Sequence, residues 1–129
     1  MASILLVDDD PLHASVRKAI LERKYPSVTR VNDAAEALGL LERSQPSNDL
    51  SMVVTNDQHS GIGLDSFISE LHLRMPYLPI LVIAEKDSTY RDFSAFPVRF
   101  MQRPVTAEDL LSAVASMMNR HTPTRLKTA

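Results

Sequence analysis

The chain contains no cysteine. Disulfides, thiolate zinc sites and cysteine nucleophiles are thereby excluded. It also lacks a clustered positive footprint. Fourteen Lys and Arg stand against sixteen Asp and Glu, for a net charge of -2, which argues against a nucleic-acid-binding domain. Long hydrophobic runs are missing too. The first apolar run, Ile4 to Val7, is four residues long, too short for the core of a signal peptide or a membrane span. A cytoplasmic protein without a membrane segment is the plain reading. What is present is ordinary for a globular protein: 129 residues, 44% hydrophobic and 23% charged. A chain of that length buries roughly two-thirds of its unfolded surface, enough for one core. One domain over residues 1–119 is expected. The polar stretch 120–129 reads as a tail or the start of a linker, so a stand-alone regulator and the N-terminal part of a longer protein both remain open.

Short, wholly apolar segments alternate with amphipathic ones. Ile4-Leu5-Leu6-Val7 has the character of a strand buried on both faces. Asp10-Pro11 follows, an N-cap residue and a residue favoured at the first helical position. Leu12, Val16, Ala19 and Ile20 mark the apolar face of a helix that ends near Tyr25-Pro26. Val28 to Val31 is a weaker second strand. Asp33 and Glu36 have capping-box spacing ahead of the stripe Ala34, Ala37, Leu38 and Leu41. Met52-Val53-Val54 is a third strand, stopped at Asn56, and Leu64, Phe67, Ile68, Leu71 and Met75 trace a third helix. Ile80 to Ile83 is a fourth strand, Ser88 to Phe93 a short helix, and Val98 to Met101 a fifth strand broken by Pro104. Thr106 and Asp109 start a last helix with Leu110, Leu111, Val114, Met117 and Met118 on its apolar side. Five such alternations imply an α/β fold, a parallel sheet with helices on both faces and right-handed crossovers.

Ligands in this architecture bind beyond the carboxyl ends of the strands. The residues there are Asp8, Asp9 and Asp10, then Asn56 and Asp57, Ala84 and Glu85, and finally Gln102, Arg103 and Pro104. Carboxylates gathered at strand ends suit a hard divalent cation such as magnesium. An adjacent Arg suits the anion that the metal recruits. N-capping alone accounts for Asp10, and a solvated loop is the plain alternative for Asp8 and Asp9. His13, His59, His72 and His121 lie at no ligand spacing and read as surface residues.

The segments ILLVDDDP, MVVTN followed by GIGL, LPILVIAEKDS and FMQRPVTAEDLL, in this order and spacing, resemble the receiver domain of two-component response regulators. The resemblance runs from Ser3 to about Met118. It implies a flavodoxin-like, doubly wound (βα)5 fold with strand order 2-1-3-4-5. It also implies a phosphoryl group carried on an aspartate at the end of the third strand, and magnesium held by Asp8, Asp9 and the backbone carbonyl of Gln58. The same ungapped register puts Asn56 at the phosphoacceptor position. It puts Ala84 where the family has Thr or Ser, Arg103 where it has Lys before Pro, and Phe100 at the aromatic switch position.

Three reactive positions are thus substituted. Asn56 has nearly the shape of Asp without its charge, so it is a poor nucleophile and weakens the pull on a cation. Ala84 has no hydroxyl for a phosphoryl oxygen. Arg103 keeps a positive charge in a wider, forked head and could pair with Asp8, Asp9 or Asp57 as an internal counter-ion. The expectation is a degenerate receiver that is not an enzyme and binds magnesium weakly at most. Its partner would be a protein: a sensor kinase, an output domain or another regulator. The implied surface combines the Ser88–Phe93 helix, the fifth strand with Phe100 and the last helix with Leu111, a surface that would also serve a homodimer.

Two alternatives stand beside it. One is an active receiver phosphorylated on Asp57. Strand alternation turns Asp57 away from the acidic pair, although a bulge could re-aim it. The other is a haloacid-dehalogenase-like phosphatase, with Asp8 as nucleophile and Asp10 as acid-base. Against it, Pro11 starts a helix where that family has a Gly-Thr turn. A flavin-binding flavodoxin is disfavoured because the turn after Val7 is acidic and would repel a phosphate.

Overall fold

The computed structural model describes residues 3–43, 50–57, 61–84 and 97–121. In chain order its elements are β1 (Ser3–Val7), α1 (Pro11–Leu21), β2 (Ser27–Val31), α2 (Ala34–Arg43), β3 (Met52–Asn56), α3 (Leu64–Arg74), β4 (Ile80–Ala84), β5 (Val98–Gln102) and α4 (Ala107–His121). All five strands pair in parallel, in the order β2-β1-β3-β4-β5. This is the flavodoxin-like order expected from the sequence. The Ser88–Phe93 helix lies outside the described residues.

The sheet is covered on both sides, which is why its strands read as continuous apolar runs. On one side, Ile4, Leu6, Val54, Leu81 and Ile83 pack with Ala14 and Leu21 of α1 and Leu110 and Val114 of α4. On the other, Leu5, Val7, Val53, Ile80 and Val82 pack with Ala34 and Ala37 of α2 and Phe67, Ile68 and Leu71 of α3. Successive strand residues point to opposite faces. Even-numbered residues of β1 and β3 therefore face α1 and α4.

The helix starts follow local polar chemistry. Asp10 caps α1, its Oδ1 accepting from the amides of Leu12 at 2.9 Å and His13 at 3.2 Å, with Pro11 in the first turn. Asp33 Oδ1 accepts from the Glu36 amide at 2.8 Å, and Glu36 Oε1 accepts from the Asn32 amide at 2.8 Å. That is a capping box whose return bond reaches one residue further back than usual. Thr106 Oγ1 accepts from the Asp109 amide at 3.0 Å at the start of α4.

The apolar face of α1 differs from its expected position. Leu12 is 70% exposed and Val16 52% exposed, whereas Ala14 and Leu21 are buried. The helix is also shorter than expected, ending at Leu21 rather than near Tyr25. Its inward stripe is Ala14, Arg17 and Leu21, at the 3–4 spacing of one helical face. A charged residue sits in the middle of that stripe because it has a buried partner beneath it.

Candidate functional site

That partner is Asp8, the first residue beyond β1 and wholly buried. Alternation continues the Ile4–Leu6 face into Asp8, and the Val54 face into Asn56. The β1–β3 register pairs Val7 with Thr55, so Asp8 and Asn56 stand side by side at the next step. The Asn56 carboxamide Nδ2 donates to Asp8 Oδ1 at 3.3 Å and to Asp9 Oδ1 at 3.4 Å. Asn56 is itself buried, and its backbone carbonyl accepts from the Thr55 hydroxyl at 2.9 Å. The amide at the end of the third strand therefore stands on the acidic pair. Asp57 follows one residue past β3 and is only half-buried. Continued alternation assigns it to the α2–α3 side, opposite Asn56.

Asp8 is fixed from several directions. Its Oδ1 also accepts from the Asp10 amide at 3.0 Å. Its Oδ2 accepts from Arg17 Nη1 at 2.8 Å, an ion pair in which the Arg17 side chain is 12% exposed. Its backbone carbonyl takes two bonds from Arg30 of β2, Nε at 3.1 Å and Nη2 at 2.9 Å. The Asp8 amide continues the ladder by donating to the Val31 carbonyl at 3.1 Å. The positive charge on the Asp8 carboxylate is thus Arg17, while Arg30 holds its carbonyl. The sequence offers Arg103 as a counter-ion for Asp8, Asp9 or Asp57; on the Asp8 carboxylate it is Arg17 that makes the ion pair.

Arg103 stands at the far end of the same row. Its amide donates to the Ala84 carbonyl at 3.0 Å, next to the Ala84–Gln102 pair that closes β4 and β5. The Arg103–Pro104 peptide bond is cis. Ala84 is fully buried. Arg103 lies close enough to be felt electrostatically by two neighbours. Burial holds the Arg17 guanidinium below the usual arginine range. Asp8 works against that shift, and the like charge of Arg103 adds to it. The amide of His13 holds the Asp10 carboxyl below the ordinary carboxylate range, against a smaller cost of burial. The Leu12 amide, the His13 ring and Arg103 lower it further.

Phe100 lies on β5 opposite Val82 and is half-buried against the α2–α3 core. Leu111, on α4, is half-buried against the other core. Gln58 and His59 lie outside the described residues. Among the described residues there is no cluster of three or more His, Cys, Asp or Glu side chains that could hold a metal ion. As arranged, Asp8 Oδ1 and Oδ2 and Asp9 Oδ1 each face a protein donor, from Asp10, Asn56 or Arg17. Magnesium takes oxygen ligands and keeps several of its waters, and this donor set meets it with one carboxylate already neutralised.

Arg17 and Arg30 escaped the sequence reading. Arg17 is seven residues, two helical turns, beyond the Asp10 cap and is spaced with Ala14 and Leu21. A face count that admitted a charged member would have found it. Arg30 lies in a short mixed strand, Ser27–Val31, whose apolar members are Val28 and Val31.

No family model matches the chain. Over 111 residues it is 30% identical to the two-component response regulator-like protein APRR3 of Arabidopsis thaliana, a match covering 83% of this chain and 22% of that protein. Over 126 residues it is 28% identical to the two-component response regulator ORR23 of rice, Oryza sativa, covering 95% of this chain and 18% of that protein. The chain therefore spans about a fifth of the length of these relatives. Among solved structures, it matches a response regulator receiver domain protein from Clostridium thermocellum with a TM-score of 0.79 at 20% identity, covering 93% of this chain and 96% of that one. It matches the receiver domain of NtrX from Brucella abortus with a TM-score of 0.76 at 21% identity, covering 91% and 98%. No helix among the described residues is long and apolar enough to cross a membrane.

Proposed function

We propose that this chain, similar in sequence to response regulators and in fold to receiver domains, is a receiver that has left the phosphoryl cycle and works by binding another protein. The observation that carries this reading is the Asn56 carboxamide lying on Asp8 and Asp9. An attacking carboxylate would be needed there. An amide oxygen carries no charge to spend on phosphorus, and an amide nitrogen turned toward two acids offers donors in place of a lone pair. Ala84 supplies no hydroxyl for a phosphoryl oxygen, and Arg103 supplies a fork where a compact ammonium is usual.

Phosphorylation adds about -1.5 to -2 charges to a protein. Moving a two-state element from mostly off to mostly on takes about 5.5 kcal/mol of differential stabilisation. With that source gone, a partner biases the domain, or its conformation is fixed. The partner is a protein: a sensor kinase, an output domain or another regulator, met through the β5–α4 side that carries Phe100 and Leu111. The domain is not an enzyme in this reading, and its place is the cytoplasm.

The test is the amide NMR spectrum recorded with and without a small phosphodonor and magnesium. The two spectra are expected to superimpose. A second set of resonances at Phe100 and along β4 and β5 would mean that the switch still runs, and would overturn the proposal.

A further inference from the structure

A buried carboxylate needs a positive partner, and in this fold that partner need not come from solution. Asp8 is wholly buried, and the ion pair at its Oδ2 is made by Arg17 at 2.8 Å from a helix packed on the same face of the sheet. The Oδ1 oxygen is taken by two N–H donors, from Asp10 and Asn56. Arg17 is anchored by the helix it belongs to, since Ala14 and Leu21 on either side of it are buried. The charge of Arg103 reaches Arg17 as well. A further guanidinium, Arg30, bonds the backbone carbonyl of Asp8, and Asn56 contributes no charge.

We propose that Arg17 is the built-in cation of this domain, performing for Asp8 the charge neutralisation that a divalent ion would perform, so that Asp8 is neutralised without metal. This rests on reading Asp8 and Asp9 as the receiver's acidic pair. It does not rest on the loss of the phosphoacceptor. Two consequences follow from charge alone. A divalent cation approaching Asp8 meets a guanidinium already in contact with its ligand, and like charges at such distances repel strongly where water is scarce. Restoring a carboxylate at position 56 also leaves that guanidinium in place. Asn56→Asp by itself is therefore a weak cation site, and cation affinity rises fully only when Arg17 is also removed.

The experiment uses Mn2+ as the probe, followed by the loss of the free-ion EPR signal. The proteins are the wild type, Asn56→Asp, and the double variant Asn56→Asp/Arg17→Met, with folding checked by circular dichroism. The wild type is expected to bind no Mn2+ up to about 1 mM, whereas carboxylate sites span a wide range of affinities below that. The double variant is expected to bind at least roughly tenfold more tightly than Asn56→Asp, because a cation has been withdrawn from the ligand. Saturable Mn2+ binding by the wild type, or equal affinities in the two variants, would overturn the proposal. Should the double variant fail to fold, Asn56→Asp still decides: with Arg17 in place its melting temperature is expected to be barely changed by Mg2+, and a clear rise would overturn the proposal. No phosphoryl transfer enters these measurements, so they fail or succeed separately from the proposed function.

Discussion

Replacing Arg17 with Met removes a charge from a site where its partner has no route to water. Asp8 is wholly buried, and the pair closes at 2.8 Å with Arg17 only 12% exposed. Breaking a buried pair by deleting one member costs about 3–5 kcal/mol, because the survivor keeps its desolvation penalty. Asp8 still accepts from the Asp10 amide and the Asn56 carboxamide, which places the cost near the lower end, at about 3 kcal/mol. Unfolding entropy of about 2.1 cal/mol/K per residue, over 129 residues, gives roughly 0.27 kcal/mol/K. The melting temperature should then fall by about 11 °C. Urea denaturation supplies the free energy, and differential scanning calorimetry the temperature. The diagnostic step is Asp8→Asn in the Arg17→Met background. Removing the stranded charge should return most of the loss, with a coupling of at least about 2 kcal/mol between the two sites. If Arg17→Met costs less than about 0.5 kcal/mol, or if the two losses simply add, the buried-pair reasoning is wrong.

Asp10→Ala should lower the melting temperature by a few degrees at pH 7 by removing the α1 cap. The carboxyl of Asp10 is held below its ordinary value, first by the His13 amide. Its contribution is therefore present above the unfolded value of about 3.9 and lost as the pH falls through the folded one. The gap between wild type and variant should be present at about pH 5 and close below about pH 4; a gap that persists to strong acid would refute the capping account. Phe67→Ala, at a fully buried position between α3 and the sheet, should cost about 3–5 kcal/mol by urea denaturation. A cost under about 1 kcal/mol would mean that the α2–α3 side is not a packed core.

The sheet was legible because its chemistry is unambiguous. Runs such as Ile4–Val7 and Ile80–Ile83, apolar without alternation, fit only strands buried on both faces once helices are interleaved between them. Helix starts were legible for the same reason: Asp10-Pro11, Asp33 with Glu36, and Thr106 with Asp109 each satisfy first-turn amides that have no partner within the helix. The orientation of α1 was not legible. Leu12 and Val16 obey the apolar spacing, yet the helix turns them outward so that Arg17 can reach Asp8. A count of apolar residues cannot register that trade, because the deciding contact is ionic and joins residues from two different elements. Arg17 as the counter-ion of Asp8 was missed for a related reason. Position along the strand ends is visible in sequence, whereas reach from a covering helix is visible only when the helix is docked. The location of Asn56 beside Asp8 and Asp9 followed from register and alternation, both of which β3 keeps to its end.

The central claim, that no carboxylate stands ready to capture phosphate, is tested most directly by incubating the protein with a small phosphodonor and magnesium, trapping any aspartyl phosphate by borohydride reduction, and mapping the peptides by mass spectrometry. The account predicts an unmodified chain, with Asp57 intact. A reduced residue found at Asp57 would contradict it.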